Sequence, residues 1–129
     1  NNKIKLREEF RPFAPSILLE EVSEWFDLNE QSPYMTSVHM IKKHKMKIIP
    51  AVCHVDGTGR VQTVDKKLNL KYYNLIQSFF KKTKIPILLN TSFNENEPIV
   101  SNPEEALNTF LRTKMDKLVL NNFIVEKTY

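Results

Sequence analysis

The sequence predicts a mixed α/β domain in which helices pack on a twisted sheet. Apolar runs typical of strands are interleaved with stretches of helical periodicity, and no internal repeat or low-complexity segment separates them. The chain has 129 residues, of which 41% are hydrophobic and 26% charged, a composition typical of a soluble globular protein. We therefore interpret residues 1–129 as a single domain.

The first half of the chain contains short predicted elements. Its apolar runs predict strands at residues 14–19, 35–41, 48–55 and 60–65. Residues 20–26 are expected to form a short helix, because Val22, Trp25 and Phe26 share a face at helical spacing. The last two strands flank a loop that contains both glycines of the chain, so we expect them to form a hairpin.

The second half begins with the clearest helix, at residues 69–82. Its apolar stripe is expected to pack in the core and consists of Tyr72, Tyr73, Ile76, Phe79 and Phe80. An apolar run at residues 86–89 predicts a buried strand, which leads into a polar loop.

A second helix is predicted from Pro103 to about Thr113. Asn102 suits the N-cap, Pro103 the first helical position, and Glu105 a capping box. The expected buried face consists of Ala106, Leu107, Phe110 and Leu111. Short strands at residues 118–120 and 123–125 follow this helix.

Cysteine content and hydropathy indicate the compartment. The single cysteine, Cys53, cannot form an intrachain disulfide, and no apolar run approaches the ~20 residues that a membrane span requires. We therefore expect a cytoplasmic protein without a membrane partner. The first residues contain no initiator methionine and no signal-peptide core, so we interpret the chain as part of a longer protein.

The net charge of +4 is mild, and its densest basic run spans residues 42–47. Only Met46 interrupts this run as an apolar residue, whereas nucleic-acid surfaces usually interleave cations with aromatic or base-reading side chains. The pattern favours a solvated connection between two strands over a polyanion contact. Nucleic acid is therefore not favoured as a partner.

Two polar clusters indicate ligand binding. Lys5, Arg7 and Arg11 precede the first predicted strand and suit a phosphate, although pairing with neighbouring glutamates is an alternative. Residues 90–94, Asn-Thr-Ser-Phe-Asn, follow a predicted strand at the place where α/β sheets bind ligands, although an ordinary turn would also use these residues. Ser92 lacks the glycines of a hydrolase nucleophile elbow, which argues against a Ser-His-Asp hydrolase.

The glycine loop, His-Val-Asp-Gly-Thr-Gly-Arg at residues 54–60, allows two interpretations. Glycine suits positive φ or close approach of a ligand, and Asp-Gly is also typical of a hairpin turn. His54 and Asp56, alternate residues of one extended segment, could face a shared ligand or a magnesium ion; a hydrogen-bonded histidine is the plainer alternative. The histidines are not at paired-ligand spacing, so we predict no metal ligands in this chain.

Three long stretches carry a family resemblance. They read KIKLREEFRPFAPSIL at residues 3–18, IPAVCHVDGTGRVQTV at 49–64 and ILLNTSFNENEPIV at 87–100, the last followed by NPEEALNTFLRT. In this order and spacing they resemble the C-terminal, YrdC-like domain of the NodU/CmcH family of O-carbamoyltransferases. The resemblance implies a YrdC-like twisted open sheet with packed helices, incomplete at its N-terminal side and excised from a longer chain.

The resemblance also implies a reaction. In this family the YrdC-like domain uses carbamoyl phosphate and ATP to form carbamoyl adenylate with release of pyrophosphate. The N-terminal transferase domain of the same protein then moves the carbamoyl group to a hydroxyl of a small acceptor, such as a sugar or natural product. The implied cofactors are ATP and Mg²⁺, with a metal such as iron in the N-terminal domain. The isolated chain is expected to be inactive.

Site residues follow from the same resemblance. Catalytic cations that contact the phosphate or carbamoyl group are implied at Lys5, Arg7, Arg11 and Arg60. Substrate or nucleotide contacts are implied at His54, Asp56, Gly57, Thr58, Asn90, Thr91, Ser92 and Asn94. On this interpretation Gly57 and Gly59 let the backbone turn tightly and place Arg60 beside an anionic ligand.

The chain departs from the family at residue 96, and two alternatives to the carbamoyltransferase interpretation stay open. Asn96 stands where the family usually has glycine. Asparagine is the residue other than glycine that best tolerates positive φ. A non-catalytic YrdC-like module that binds anions or RNA is the first alternative. An interaction domain that completes a partner's active site is the second.

Overall fold

The computed structural model describes residues 11–128. These residues form two compact units: the first unit is residues 12–91, and the second unit contains Arg11 and residues 92–128. Both helices and small open sheets are present, which confirms the predicted α/β class. The single-domain interpretation stays a prediction. Among the described residues, no helix is long and apolar enough to cross a lipid bilayer.

The first unit is built on a three-stranded sheet. Its elements in chain order are β1 (Ala14–Leu18), α1 (Val22–Trp25), β2 (His39–Met40), β3 (Thr58–Gly59), β4 (Gln62–Val64), α2 (Leu70–Thr83) and β5 (Ile87–Asn90). The strand order is β4-β1-β5, with β1 parallel to β4 and antiparallel to β5. Strands β2 and β3 form a separate antiparallel pair.

Strand β1 is buried on both faces because it lies at the centre of this sheet. All five of its residues are buried. Ile17 packs in a cluster with Phe26 and Val61, while its neighbour Leu18 packs in a second cluster with Ile76 of α2. Adjacent residues of a strand point to opposite faces, so β1 contributes to a core on each side.

The predicted strand at residues 48–55 is wrong, and so is its hairpin with residues 60–65. Pro50–Val52 form a 3-10 turn instead, because proline fixes its own φ and has no N–H to donate to a ladder. The glycine-containing strand β3 pairs with β2, and β4 pairs with β1. The strand predicted at residues 35–41 is correspondingly reduced to His39–Met40.

The two helices of the first unit match their predictions closely. A 3-10 turn at Leu19–Glu21 leads into α1, and the predicted face of Val22, Trp25 and Phe26 is buried. Helix α2 begins after Asn69, whose side chain accepts the N–H of Tyr72 at 3.2 Å. Its apolar stripe packs on the sheet, although Phe79 lies at the exposed edge.

The described residues of the second unit form one helix and one hairpin. They are α3 (Pro103–Arg112), β6 (Lys117–Leu120) and β7 (Phe123–Glu126), and the two strands pair antiparallel. The predicted N-cap is confirmed, because the Asn102 side chain accepts the N–H of Glu105 at 2.9 Å. The Glu105 carboxylate accepts the N–H of Ser101 at 2.9 Å, one residue before the position that a capping box uses.

The predicted buried face of α3 is partly wrong. Ala106 and Phe110 are buried as expected, but Leu107 and Leu111 are 38% and 59% exposed. Thr109 is buried in their place, and its hydroxyl is satisfied because it donates a hydrogen bond to Glu97 at 3.0 Å. The covered face of α3 therefore consists of Ala106, Thr109 and Phe110 instead of the two leucines.

Candidate functional site

The loop at residues 54–58 is a tight turn. The His54 carbonyl accepts the N–H of Gly57 at 3.0 Å, and the His54 N–H donates to the Thr58 carbonyl at 2.8 Å. Gly57 has a φ of 83°, in the left-handed region that a side chain disfavours. The prediction that Gly57 serves a tight turn is confirmed.

Gly59 has a different role from Gly57. It lies buried in β3, where an added Cβ would stand 3.1 Å from a Phe26 ring carbon and 3.3 Å from the Val52 carbonyl oxygen. Both distances are shorter than most Cβ contacts, so a methyl group here would require Phe26 or the Val52 backbone to shift, and this glycine permits close packing of β3 on the core. The expectation that both glycines serve the turn is therefore correct only for Gly57.

The polar side chains of the turn hydrogen-bond to one another. Asp56 Oδ1 accepts the Thr58 N–H at 2.9 Å and the Thr58 hydroxyl at 2.7 Å, and these bonds hold the pKa of the Asp56 carboxyl below its usual value. His54 Nδ1 lies 3.0 Å from Thr58 Oγ1. Because the Thr58 hydroxyl donates its proton to the Asp56 carboxylate, its oxygen is left to accept a hydrogen bond from His54 Nδ1. This geometry favours the alternative of a hydrogen-bonded histidine.

Arg60 follows the turn and is exposed. Within residues 11–128 its guanidinium takes part in no hydrogen bond or ion pair. Val61 is fully buried and Gln62 is half-buried, so side chains alternate along this extended segment. Arg60 and Gln62 therefore lie on the same side of the chain.

Asn90 lies in a cluster of three polar side chains on one face of the sheet. Its Nδ2 donates to Gln62 Oε1 at 2.8 Å and to Ser16 Oγ at 3.1 Å, and Ser16 Oγ donates to Gln62 Oε1 at 2.7 Å. The cluster joins β5, β4 and β1. Sequence analysis missed Ser16 and Gln62; the one available signal was a serine inside an otherwise apolar strand.

The loop that begins the second unit is also internally bonded. Ser92 Oγ donates to Asn94 Oδ1 at 2.6 Å, and Asn94 Nδ2 donates to the Glu97 carbonyl at 2.7 Å. The Phe93 carbonyl accepts the Val100 N–H at 3.0 Å, which closes the loop. Two predicted site residues, Ser92 and Asn94, are thus held in one structured segment.

Glu97 anchors this loop to α3, and sequence analysis did not identify it. Its carboxylate accepts the Asn96 N–H and the Thr109 hydroxyl, each at 3.0 Å, and pairs with Arg112 at 2.5 Å. Its own N–H, the Thr109 hydroxyl, the Asn96 N–H and Arg112 lower the pKa of the carboxyl to about 2, against an opposing effect of desolvation. Asn96 does not adopt positive φ, so this position has no need of the family's glycine.

A cavity of about 510 Å³ lies beside this anchor. It is lined by Glu97, Pro98, Val100, Glu105, Asn108, Thr109, Leu111 and Arg112. Its walls therefore come from the loop and from one side of α3.

Four predicted site residues remain. Lys5 and Arg7 lie outside the described residues, and Arg11 and Thr91 are exposed. That the four predicted catalytic cations converge on one ligand therefore stays a prediction.

Two cations of the basic run at residues 42–47 form ion pairs within the first unit. Lys42 pairs with Asp27, and Lys45 pairs with Glu24 and stacks over the Trp25 ring. These contacts support the interpretation of the run as a connecting segment. Within residues 11–128 no group of three His, Cys, Asp or Glu side chains is placed to hold a metal ion.

Comparison with known proteins identifies the family. The model of the carbamoyltransferase C-terminus matches residues 1–127. The chain is 48% identical to nodulation protein NolO of Bradyrhizobium diazoefficiens and 45% identical to nodulation protein NolNO of Sinorhizobium fredii, over 98% of its length in both cases. It spans only 24% and 19% of the length of these relatives. The chain therefore belongs to the carbamoyltransferase C-terminal family.

Proposed function

We propose that this chain is the carbamoyl-adenylate-forming part of an O-carbamoyltransferase. The observation that carries the proposal is the family match, which spans residues 1–127 and includes the glycine turn, Arg60 and the loop at residues 90–94. Carbamoyl phosphate and ATP are the proposed substrates. The proposed partner is an N-terminal transferase domain of the same protein, which holds a metal such as iron and a small hydroxylated acceptor.

The balance of the reaction defines what the site must do. Water converts carbamoyl phosphate to carbamate and inorganic phosphate. A carbamate oxygen then attacks the α-phosphorus of ATP, the bond to the β-phosphate oxygen breaks, and pyrophosphate leaves. The acceptor hydroxyl finally attacks the carbamoyl carbon and releases AMP. Each step handles a phosphate oxyanion, so the site needs fixed cations and hydrogen-bond donors.

Arg60 is the described residue that best fits this requirement. It is exposed, it directly follows the structured turn, and its guanidinium has no partner among residues 11–128. An unpaired guanidinium offers the two parallel donors that a phosphate accepts. We assign it to the phosphate of carbamoyl phosphate or ATP.

The turn before Arg60 has a supporting role in this proposal. The Asp56 carboxylate is hydrogen-bonded to Thr58, and the Thr58 hydroxyl is hydrogen-bonded to His54. These side chains therefore stabilise the turn that precedes Arg60. Magnesium would screen the phosphates of ATP when bound. Asp56 is not proposed as its ligand, because Asp56 Oδ1 already accepts two hydrogen bonds from Thr58.

The test uses the full-length protein with ATP, Mg²⁺ and carbamoyl phosphate. Pyrophosphate and inorganic phosphate are measured separately, with each substrate omitted in turn. We expect pyrophosphate only when both substrates are present, accompanied by at least an equal amount of inorganic phosphate. Pyrophosphate release that is indifferent to carbamoyl phosphate would contradict the proposal.

A further inference from the structure

The carbonyl of Pro33 fixes the orientation of the Gln62 amide. Gln62 Nε2 lies 3.1 Å from the Pro33 carbonyl oxygen, which can only accept a hydrogen bond. The nitrogen of the Gln62 amide must therefore face Pro33. Its oxygen, Oε1, consequently faces Ser16 and Asn90, and it can only accept.

The orientation of Gln62 in turn fixes Asn90. The group that Asn90 presents to Gln62 Oε1 at 2.8 Å has to be a donor, which is the Nδ2 amine. The same amine donates to Ser16 Oγ at 3.1 Å and lies 3.9 Å from the sulfur of Met35, a weak acceptor. All three neighbouring acceptors therefore require the same orientation of the Asn90 amide, with Nδ2 facing them.

This orientation leaves the Asn90 carbonyl oxygen as the outward atom. Within residues 11–128 no donor contacts Oδ1, and Asn90 as a whole is half-buried. Asn90 is the last residue of β5, and its neighbour Gln62 shares a side of the chain with Arg60. Among the described residues, the first unit therefore presents a fixed acceptor at Asn90, and an unpaired cation at Arg60 on the same side of the chain as Gln62.

We propose that Ser16 and Gln62 are positioning residues that hold Asn90 so that its carbonyl oxygen accepts an N–H from the ligand. The proposal rests on the proposed function, which supplies a ligand with such a group. The carbamoyl amine of carbamoyl phosphate is one source of the N–H, and the exocyclic amine of adenine is the other.

An acceptor held in this way would select against ligands that lack the amine. Acetyl phosphate has a methyl group where carbamoyl phosphate has its amine, so it would leave the Asn90 oxygen without a donor. Sites built to bond a polar group reject an analogue that lacks it far more strongly than an apolar pocket rejects a misfit. If Gln62 no longer fixed the amide, Asn90 could rotate and this selectivity would fall.

The experiment compares Gln62→Met with wild type in the full-length protein, and Gln77→Met serves as the matched control on α2. Pyrophosphate release is measured with carbamoyl phosphate or acetyl phosphate, and with ATP or purine riboside triphosphate, which lacks the adenine amine. Two selectivity ratios follow: kcat/KM with carbamoyl phosphate divided by kcat/KM with acetyl phosphate, and kcat/KM with ATP divided by kcat/KM with purine riboside triphosphate. We expect Gln62→Met to reduce one of these two ratios by at least about tenfold. A reduced acyl phosphate ratio identifies the carbamoyl amine, and a reduced nucleotide ratio identifies adenine.

Two unchanged ratios in a folded Gln62→Met protein would overturn the proposal. If that variant does not fold, Ser16→Ala supplies the measurement with a smaller expected change, because the bond from Asn90 to Gln62 remains. Wild type tests the proposed function separately: without carbamoyl phosphate-dependent pyrophosphate release, that function fails before selectivity is compared. A uniform loss of activity with both ratios preserved would indicate a merely structural role and also overturn the proposal.

Discussion

Replacement of Arg60 by alanine in the full-length protein tests the assignment of this residue to a phosphate. Arg60 is exposed and has no hydrogen bond or ion pair within residues 11–128, so its removal should change the free energy of unfolding by less than about 0.5 kcal/mol. Loss of a charge-assisted contact to the ligand costs about 1.5–3 kcal/mol. The rate of adenylate formation should therefore fall about 10- to 150-fold.

The assay follows pyrophosphate release from ATP and carbamoyl phosphate, with a thermal melt of each variant. Arg60→Lys keeps the charge but loses the paired donors, so its rate should lie between those of wild type and Arg60→Ala. Lys66→Ala, a change at another exposed cation, should leave the rate unchanged. An Arg60→Ala rate equal to wild type, or a loss of rate that tracks a loss of stability, would refute the assignment.

Three further predictions concern stability and completeness. Gly57→Ala should lower the free energy of unfolding by about 1–2 kcal/mol in urea denaturation, because residue 57 has positive φ, and Gly57→Asn should cost less; equal losses would contradict this. The Glu97 carboxyl has a pKa of about 2 in the folded chain and about 4.3 when unfolded, so its stabilising effect is complete above about pH 5 and is lost as the pH falls towards 2. Glu97→Gln should accordingly flatten the acid limb of a Tm–pH profile. An unchanged limb would show that the contacts of Glu97 do not stabilise the folded chain. The isolated 129-residue chain should unfold cooperatively yet carbamoylate no sugar or aminoglycoside in the presence of ATP, Mg²⁺ and carbamoyl phosphate; a carbamoylated product seen by mass spectrometry would contradict this.

Local signals were sufficient to predict most helices and the central strands. The stripe that includes Ile76 and the N-cap at Asn102 are properties of neighbouring residues, so periodicity and capping rules identify α2 and α3. The failure at residues 48–55 has the opposite origin. Alternating apolar residues suggested a strand there, but Pro50 cannot join a ladder and the partner of β3 comes from residues 39–40.

In the candidate site, too, features set by neighbouring residues were predictable and features set by distant residues were not. The turn at Gly57 was predictable because Asp-Gly is a local turn signal, and it forms as expected. The cluster around Asn90 was not, because Ser16 and Gln62 lie 74 and 28 residues away and meet only through strand pairing. Glu97 was missed for a related reason, since its ion-pair partner Arg112 lies 15 residues further along the chain.

Carbamoyl adenylate is the intermediate that the proposed function requires, and its detection is the most direct test of that proposal. The full-length protein is incubated with ATP, Mg²⁺ and isotopically labelled carbamoyl phosphate in the absence of any acceptor, then quenched and analysed by mass spectrometry. The proposal predicts a labelled AMP adduct that appears in wild type and is strongly reduced in Arg60→Ala. Transfer of the label to an added acceptor with no requirement for ATP, and with no AMP adduct at any time, would contradict it.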